Sequence, residues 1–209
     1  MNKVIYRDLL ESDYETIKEL IGEAFGFYDF IKDEALLNIV LSGYLQECIL
    51  DTSFCKVAQK NGKVIGFILG SALNDKTRVI NSVNNFNFDI SSIKSIMNNK
   101  TNHTLIKEFL KIQNTYKEIL KDKECQFQGC IQLFIVSKES RGLGIGKALV
   151  KYLSDYMKSM NVKSFYLFTD SRCNYGFYDS QNFSRINEKE VSLDYLNTKL
   201  NVFLYGYEF

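Results

Sequence analysis

The sequence predicts an α/β domain. Three observations predict it: apolar runs of strand length, one two-residue hairpin signal, and stripes of helical period that alternate with the strands. At 209 residues and 45% hydrophobic, the chain is long enough for a real core. Residues 1–209 are expected to form a single domain, with residues 75–126 as an insertion within it.

The elements follow in order. Residues 3–8 read as a first strand. Ser12 with Glu15 three positions on is a capping-box pattern, and Tyr14, Ile17, Ile21, Ala24 and Phe25 repeat at helical spacing. Residues 26–33 read as a loop. Leu36, Leu37, Val40, Leu41, Tyr44, Leu45 and Cys48 make a second helical stripe. Residues 53–60 and 63–72 are strands joined by Asn61-Gly62, a strong two-residue hairpin signal.

The pattern is then interrupted. Residues 81–102 are polar and rich in Asn and Ser. Residues 104–123 predict a helix, with Leu105, Phe109, Ile112, Tyr116 and Ile119 on one face and balanced charges on the other. Such a stripe usually means packing, so an extra helix on the sheet edge is the first expectation. A lid or acceptor-binding element is the second, with residues 81–102 shaping the entrance.

The most informative stretch comes next. Phe134-Ile135-Val136 ends an apolar run, a polar loop follows, and Arg141-Gly142-Leu143-Gly144-Ile145-Gly146-Lys147 opens a helix whose stripe is Ile145, Leu149, Tyr152, Leu153, Tyr156, Met157 and Met160. A helix start carries unpaired N–H groups and the positive end of the macrodipole. Phosphate is its natural guest. The glycine spacing fits neither a P-loop, which needs four residues between Gly and Gly-Lys, nor a dinucleotide fold, which needs G-x-G-x-x-G.

Arg141-Gly142-Leu143-Gly144-Ile145-Gly146 does resemble the Q/R-x-x-G-x-G/A signature of the GNAT N-acetyltransferase family. Ser164-Phe165-Tyr166-Leu167-Phe168-Thr169 is similar to that family's next strand. Asn174-Tyr175-Gly176-Phe177-Tyr178-Asp179-Ser180-Gln181-Asn182-Phe183 resembles its following short helix. The resemblance covers residues 127–185 well and the first 72 loosely. It departs at Ser137-Lys138, where proline is common, and at Asn182, where glycine is common.

The resemblance implies a mixed, mostly antiparallel central sheet with helices on both faces, and a helical insert between the third and fourth strands. It implies acetyl-CoA as cosubstrate and an amine acceptor of a small molecule or peptide, joined by a sequential, ternary-complex mechanism. Gly142, Leu143, Gly144, Ile145, Gly146 and Lys147 would cradle the pyrophosphate, and Arg141 would either add charge or pair with Glu139 or Asp170. Phe134, Ile135 and Val136 would lie along the pantetheine arm. Phe177 would line it, and Asn174 would either meet one of its amides or simply cap the short helix. Tyr178 would protonate the departing thiolate.

The general base is missing, because no acid lies between Gln126 and Val136. That absence leaves open a catalytically weak acyl-CoA-binding regulatory module. A protein or tRNA-linked amine is a further alternative acceptor. Cys173, near a helix start, raises an acyl-enzyme route, though a packed thiol is the plainer reading. His103 stands alone in the polar insert and gets little weight.

Composition bounds the rest. A net charge of +1 gives no global pull toward nucleic acid or an anionic membrane. Five scattered cysteines without C-x-x-C spacing predict neither a disulfide framework nor a metal site. They suit a reduced, cytoplasmic protein. The opening Met1-Asn2-Lys3 leads straight into a strand, so no leader is expected, and no run is long enough to span a membrane. A homodimer is an open possibility. Proline is absent against an average near 5%, which reads as composition bias beside abundant Asn, Lys and Ile.

Overall fold

The computed structural model describes residues 3–79 and 99–209. Among these residues, seven strands form one sheet, in the order β1-β2-β3-β4-β5-β7-β6. Their ranges are β1 Ile5–Arg7, β2 Phe54–Lys60, β3 Lys63–Ala72, β4 Gly129–Val136, β5 Ser164–Asp170, β6 Ser184–Leu193 and β7 Thr198–Glu208. Every pairing is antiparallel except β4 with β5. The mixed, mostly antiparallel sheet is therefore present.

The first strand is shorter than predicted, and the capping box is elsewhere. Glu11–Asp13 form a turn of 3-10 helix before α1, Tyr14–Phe25. Ser12 caps nothing there. The carboxylate of Asp13 instead accepts the Leu10 N–H at 2.9 Å and both terminal guanidinium nitrogens of Arg7 at 2.7 Å. Burial pushes the Asp13 carboxyl up, but Arg7 and the Leu10 N–H hold it below its ordinary value. A bidentate Arg partner outweighs a hydroxyl cap at this corner.

Residues 26–33 are not all loop. Gly26 takes φ 68° at the end of α1, and one helical turn follows, α2 Phe27–Phe30. Then comes α3, Glu34–Leu50, capped by Asp33, whose side chain accepts the Leu36 N–H at 3.0 Å. Asn61 (φ 53°) and Gly62 (φ 80°) both sit in the left-handed region, as a type I′ hairpin requires.

The insert helix, α4 Lys100–Leu120, begins four residues before the sequence stripe suggests. Asn99 explains this. Its side chain accepts the Thr101 N–H at 2.9 Å and the Asn102 N–H at 3.4 Å, a cap hidden inside a polar run. The entrance element expected at residues 81–102 lies, for residues 81–98, outside the described residues.

Helices lie on both faces. On one, α1 and α3 pack with Val57, Phe67, Leu69, Leu133 and Ile135 of the sheet. On the other, α5, Ile145–Ser159, packs Ile145, Leu149, Leu153 and Met157 against Ile65, Ile68 and Ile131. Val64, Phe67 and Leu69 of β3 thus serve one core and Ile65, Ile68 and Ala72 the other, which is why nearly all of that strand is buried. The last turns of α4 cover β6 and β7 through Ile112, Tyr116 and Ile119, against Val191, Leu200 and Val202. Tyr116 stacks on Phe168 with centroids 4.6 Å apart. Its upper half meets Phe27 and Phe30 through Phe109, at 5.2 and 5.8 Å. So α4 joins the helical layer to the far half of the sheet.

Candidate active site

β4 and β5 run parallel but pair only at Gly129↔Phe165 and Cys130↔Tyr166. Beyond that point neither strand has the other as partner. Residues 130–136 of β4 and 166–170 of β5 line the two sides of one cleft of about 1050 Å³. Unpaired β-strand edges inside a cleft offer backbone groups to an extended ligand.

The glycine loop closes one end. Gly142 and Gly144 both hold φ 77°, and a Cβ on either would meet nothing within 4 Å. Backbone conformation, not crowding, demands glycine at both. Gly146 differs: a Cβ there would come 3.1 Å from Phe177 and 3.3 Å from Phe134. The first bond of the region runs from the Ala148 N–H to the Gly144 carbonyl at 3.1 Å. The N–H groups of residues 142–147 therefore have no acceptor among the described residues. They stand at the start of a 15-residue helix, a combination suited to phosphate.

Most of the predicted residues come together. Phe134, Ile135, Val136, Arg141, Gly142, Gly144, Ile145, Gly146, Lys147, Asn174, Phe177 and Tyr178 all line the cleft. Leu143 does not, and its side chain is 59% exposed. Arg141 makes no ion pair among the described residues, so neither Glu139 nor Asp170 holds it. Ile145 is buried under α5, leaving only its backbone for a ligand.

Tyr178 sits on a short helix, α6 Gly176–Asp179. Its ring is walled by Phe134, Phe177, Phe183 and Tyr205, with centroids 5.5 to 6.3 Å away. Burial pushes its phenol well above the ordinary value. The hydroxyl makes no hydrogen bond among the described residues, while the residue lines the cleft. A protonated phenol with a free O–H is available to a ligand.

One acid escaped the sequence reading. Asp170 ends β5, lines the cleft and is 6% exposed. Burial pushes its carboxyl up, against the pull of the Arg172 N–H at 2.8 Å and the Cys173 thiol. The sequence signal was an acid closing an apolar strand, masked by the search for one on β4, where Gln132 faces the cleft. Cys173 itself is poorly suited to attack. Burial and the neighbouring Asp170 push its thiol up to about 12, so the thiolate is scarce. His103 is exposed on α4 and away from the cleft.

Residues 109–183 match the model of the Acetyltransferase (GNAT) family. Over that segment the chain is similar to the GNAT acetyltransferases. No curated protein sequence matches it. Solved structures do match in fold. The ribosomal-protein-S18-alanine N-acetyltransferase of Escherichia coli is 11% identical with a TM-score of 0.56, covering 99% of this chain and 94% of that one. An N-acetyltransferase of Staphylococcus aureus Mu50 is 12% identical at 0.55, covering 99% and 98%. A Pyrococcus horikoshii OT3 protein is 14% identical at 0.60, covering 99% of both. At such identities these likenesses speak for the GNAT fold. Among the described residues, no helix is long and apolar enough to cross a membrane.

Proposed function

We propose that the protein is an acetyl-CoA-dependent N-acetyltransferase that works through a ternary complex, with Tyr178 as general acid and Asp170 as general base. The observation that carries this reading is the shared cleft. It brings the donor-rich glycine loop, the open edges of β4 and β5, a free phenol and a buried carboxyl onto one space.

Acetyl-CoA supplies an activated thioester carbonyl. The chain's part is to hold, polarise and move protons. The unpaired N–H groups of residues 142–147 bind phosphate. The open edge of β4 at residues 134–136 orients an extended arm and offers a backbone N–H to the carbonyl oxygen as negative charge builds there. Asp170 takes the proton that the amine sheds as its nitrogen bonds to the acetyl carbon. Tyr178 gives its proton to sulfur as the carbon–sulfur bond breaks. The raised Tyr178 keeps that proton until it is needed, and the raised Asp170 is a stronger base than an ordinary carboxylate.

The two shifted groups suit opposite roles. Having such an acid in the cleft answers the main argument for an inactive binding module. We further propose that residues 75–126 are an insertion within a single domain. Its helix serves the cleft by placing Gln113, Tyr116 and Lys117 on the wall.

The test is thiol release from acetyl-CoA across a panel of amines, with product mass. Tight calorimetric binding of acetyl-CoA without thiol release from any amine would leave the binding-module reading in its place.

A further inference from the structure

A second chamber of about 280 Å³ adjoins the cleft, near the lower end of small-molecule sites at roughly 300–1,000 Å³. The two share Phe25, Phe30, Tyr44, Tyr116 and Asp170 as wall residues. The chamber lies between α1, α2, α3, α4 and the ends of β6 and β7. Its own walls are apolar: Phe27, Val40, Leu105, Phe109 and Leu200. Phe27, Phe30 and Phe109 meet one another edge-on or tilted at 5.2 to 5.8 Å, leaving a broad aromatic surface.

Glu47, Gln113, Asp170 and Arg172 stand on the wall shared with the cleft, and one polar group interrupts the chamber's own walls. Glu108 lines the chamber and is 5% exposed. Its Oε1 accepts the Lys111 ammonium at 3.0 Å. Its Oε2 is buried with no hydrogen-bond partner among the described residues. Buried acceptors are rarely left so, because an unmet acceptor loses water and gains nothing. One ammonium, Lys111, is shared between Glu108 and Asp194, the latter at 2.8 Å, and a further cation would have to leave water for the apolar walls of the chamber, which is costly. What Oε2 lacks is a donor, not a second cation.

Asp170 stands on the wall common to both spaces, so an amine placed there has its body in the second chamber. We infer that this chamber holds the body of the acceptor, and that the acceptor is an amine on an aromatic-sized apolar body ending in an uncharged hydrogen-bond donor that meets Glu108. This inference rests on the N-acetyl transfer reading. The chamber sets which amine is taken. Asp170 and Tyr178 set what happens to it.

Tyramine, phenethylamine and ethanolamine are the probes, read by calorimetry in the presence of CoA and by thiol release from acetyl-CoA. Tyramine should bind about tenfold or more tighter than phenethylamine, since a hydrogen bond to a charged group is worth at least that ratio. Ethanolamine should be the weakest. Glu108→Met should bring tyramine down to phenethylamine's level and leave phenethylamine unchanged. Val40→Phe should fill the chamber and weaken both aromatic amines about tenfold, with ethanolamine and acetyl-CoA unaffected.

Equal binding of the three amines to the parent would overturn the inference. So would a folded Val40→Phe protein that binds all of them as the parent does. If Val40→Phe instead weakened hexanoyl-CoA and spared the amines, the chamber would belong to the acyl tail and the inference would fall. Amines that bind as expected but are never acetylated would sink the transferase reading and leave the chamber's assignment standing.

Discussion

The ring of Phe134 meets the ring of Phe177 with centroids 5.5 Å apart. One ends the strand before the glycine loop and the other opens the short helix after β5. Against both rings lies Gly146, whose missing Cβ would sit 3.1 Å from Phe177 and 3.3 Å from Phe134. Two sequence signatures separated by a helix and a strand are thus one piece of packing. The helix start that follows the glycine loop is packed against the same pair that walls Tyr178.

Gly144→Asp follows directly. The φ of 77° is strained for any side chain, and the open space before it would receive a carboxylate where phosphate is expected. We expect a folded protein that has lost acetyl-CoA binding. The backbone strain alone should cost about 1–3 kcal/mol of stability. Calorimetry and a thermal melt read the two effects separately. Unchanged affinity in a folded variant would remove the glycine loop from the site. Gly146→Val should act differently, by overpacking the Phe134–Phe177 pair at a cost of about 1–3 kcal/mol.

Tyr178→Phe should lower turnover about 10²- to 10⁴-fold and leave acetyl-CoA affinity near the parent's. Stability should hardly change, because the hydroxyl has no partner among the described residues to lose. Turnover within a few-fold of the parent would reduce Tyr178 to packing.

Much of this arrangement was legible in the sequence. The hairpin at Asn61-Gly62 has its turn conformation written in two residues, and the stripe from Ile145 shows its own buried face. The donors of residues 142–147 follow from glycine spacing at a helix start. Other features depend on distant partners. Asp13 became the corner of α1 only because Arg7, across a loop, offers both terminal guanidinium nitrogens. Asp170 looked like a strand end until the separation of β4 and β5 set it on the cleft wall. Glu108 looked like one half of a surface charge pattern. Only the packing of α4 against α2 buried it.

The Asp170 proposal has a pH signature. A base must be ionised to act, so kcat/KM should fall as pH drops through its raised value, above the ordinary carboxylate near 4. Asp170→Asn should erase that limb and reduce turnover, with acetyl-CoA still bound. Stability should move the other way. The fold disfavours the ionised form, so the parent loses stability as pH rises from the ordinary value through the raised one. Asp170→Asn should therefore melt at or above the parent at pH 7, and the gap should close in acid. A variant that keeps the parent's rate and pH profile would leave the amine to arrive already neutral.

Cys173→Ala should remain active. The thiol donates to Asp170 and is pushed up to about 12, so it offers almost no thiolate at neutral pH. The variant's one expected change is at its neighbour. Removing the Cys173 thiol takes away a donor that pulls Asp170 down, and the acid limb of kcat/KM should shift to higher pH. Gain of one acetyl group in mass at Cys173, after incubation with acetyl-CoA and no amine, would establish an acyl-enzyme and overturn the ternary-complex mechanism.

The last prediction concerns α4. Tyr116 stacks on Phe168 of β5 and lines both the cleft and the chamber. It therefore ties the insert to the strand that carries Asp170. Tyr116→Ala removes a buried aromatic ring and should cost about 3–5 kcal/mol, as comparable truncations of large core aromatics do. Tyr116→Phe keeps the stack and should cost far less. The alanine variant should also raise the KM for the amine more than that for acetyl-CoA, because Tyr116 packs on the strand that carries Asp170 and not on the glycine loop. If both substrates weaken equally while the fold survives, α4 supports the sheet as a whole and does not shape the acceptor's side of the site.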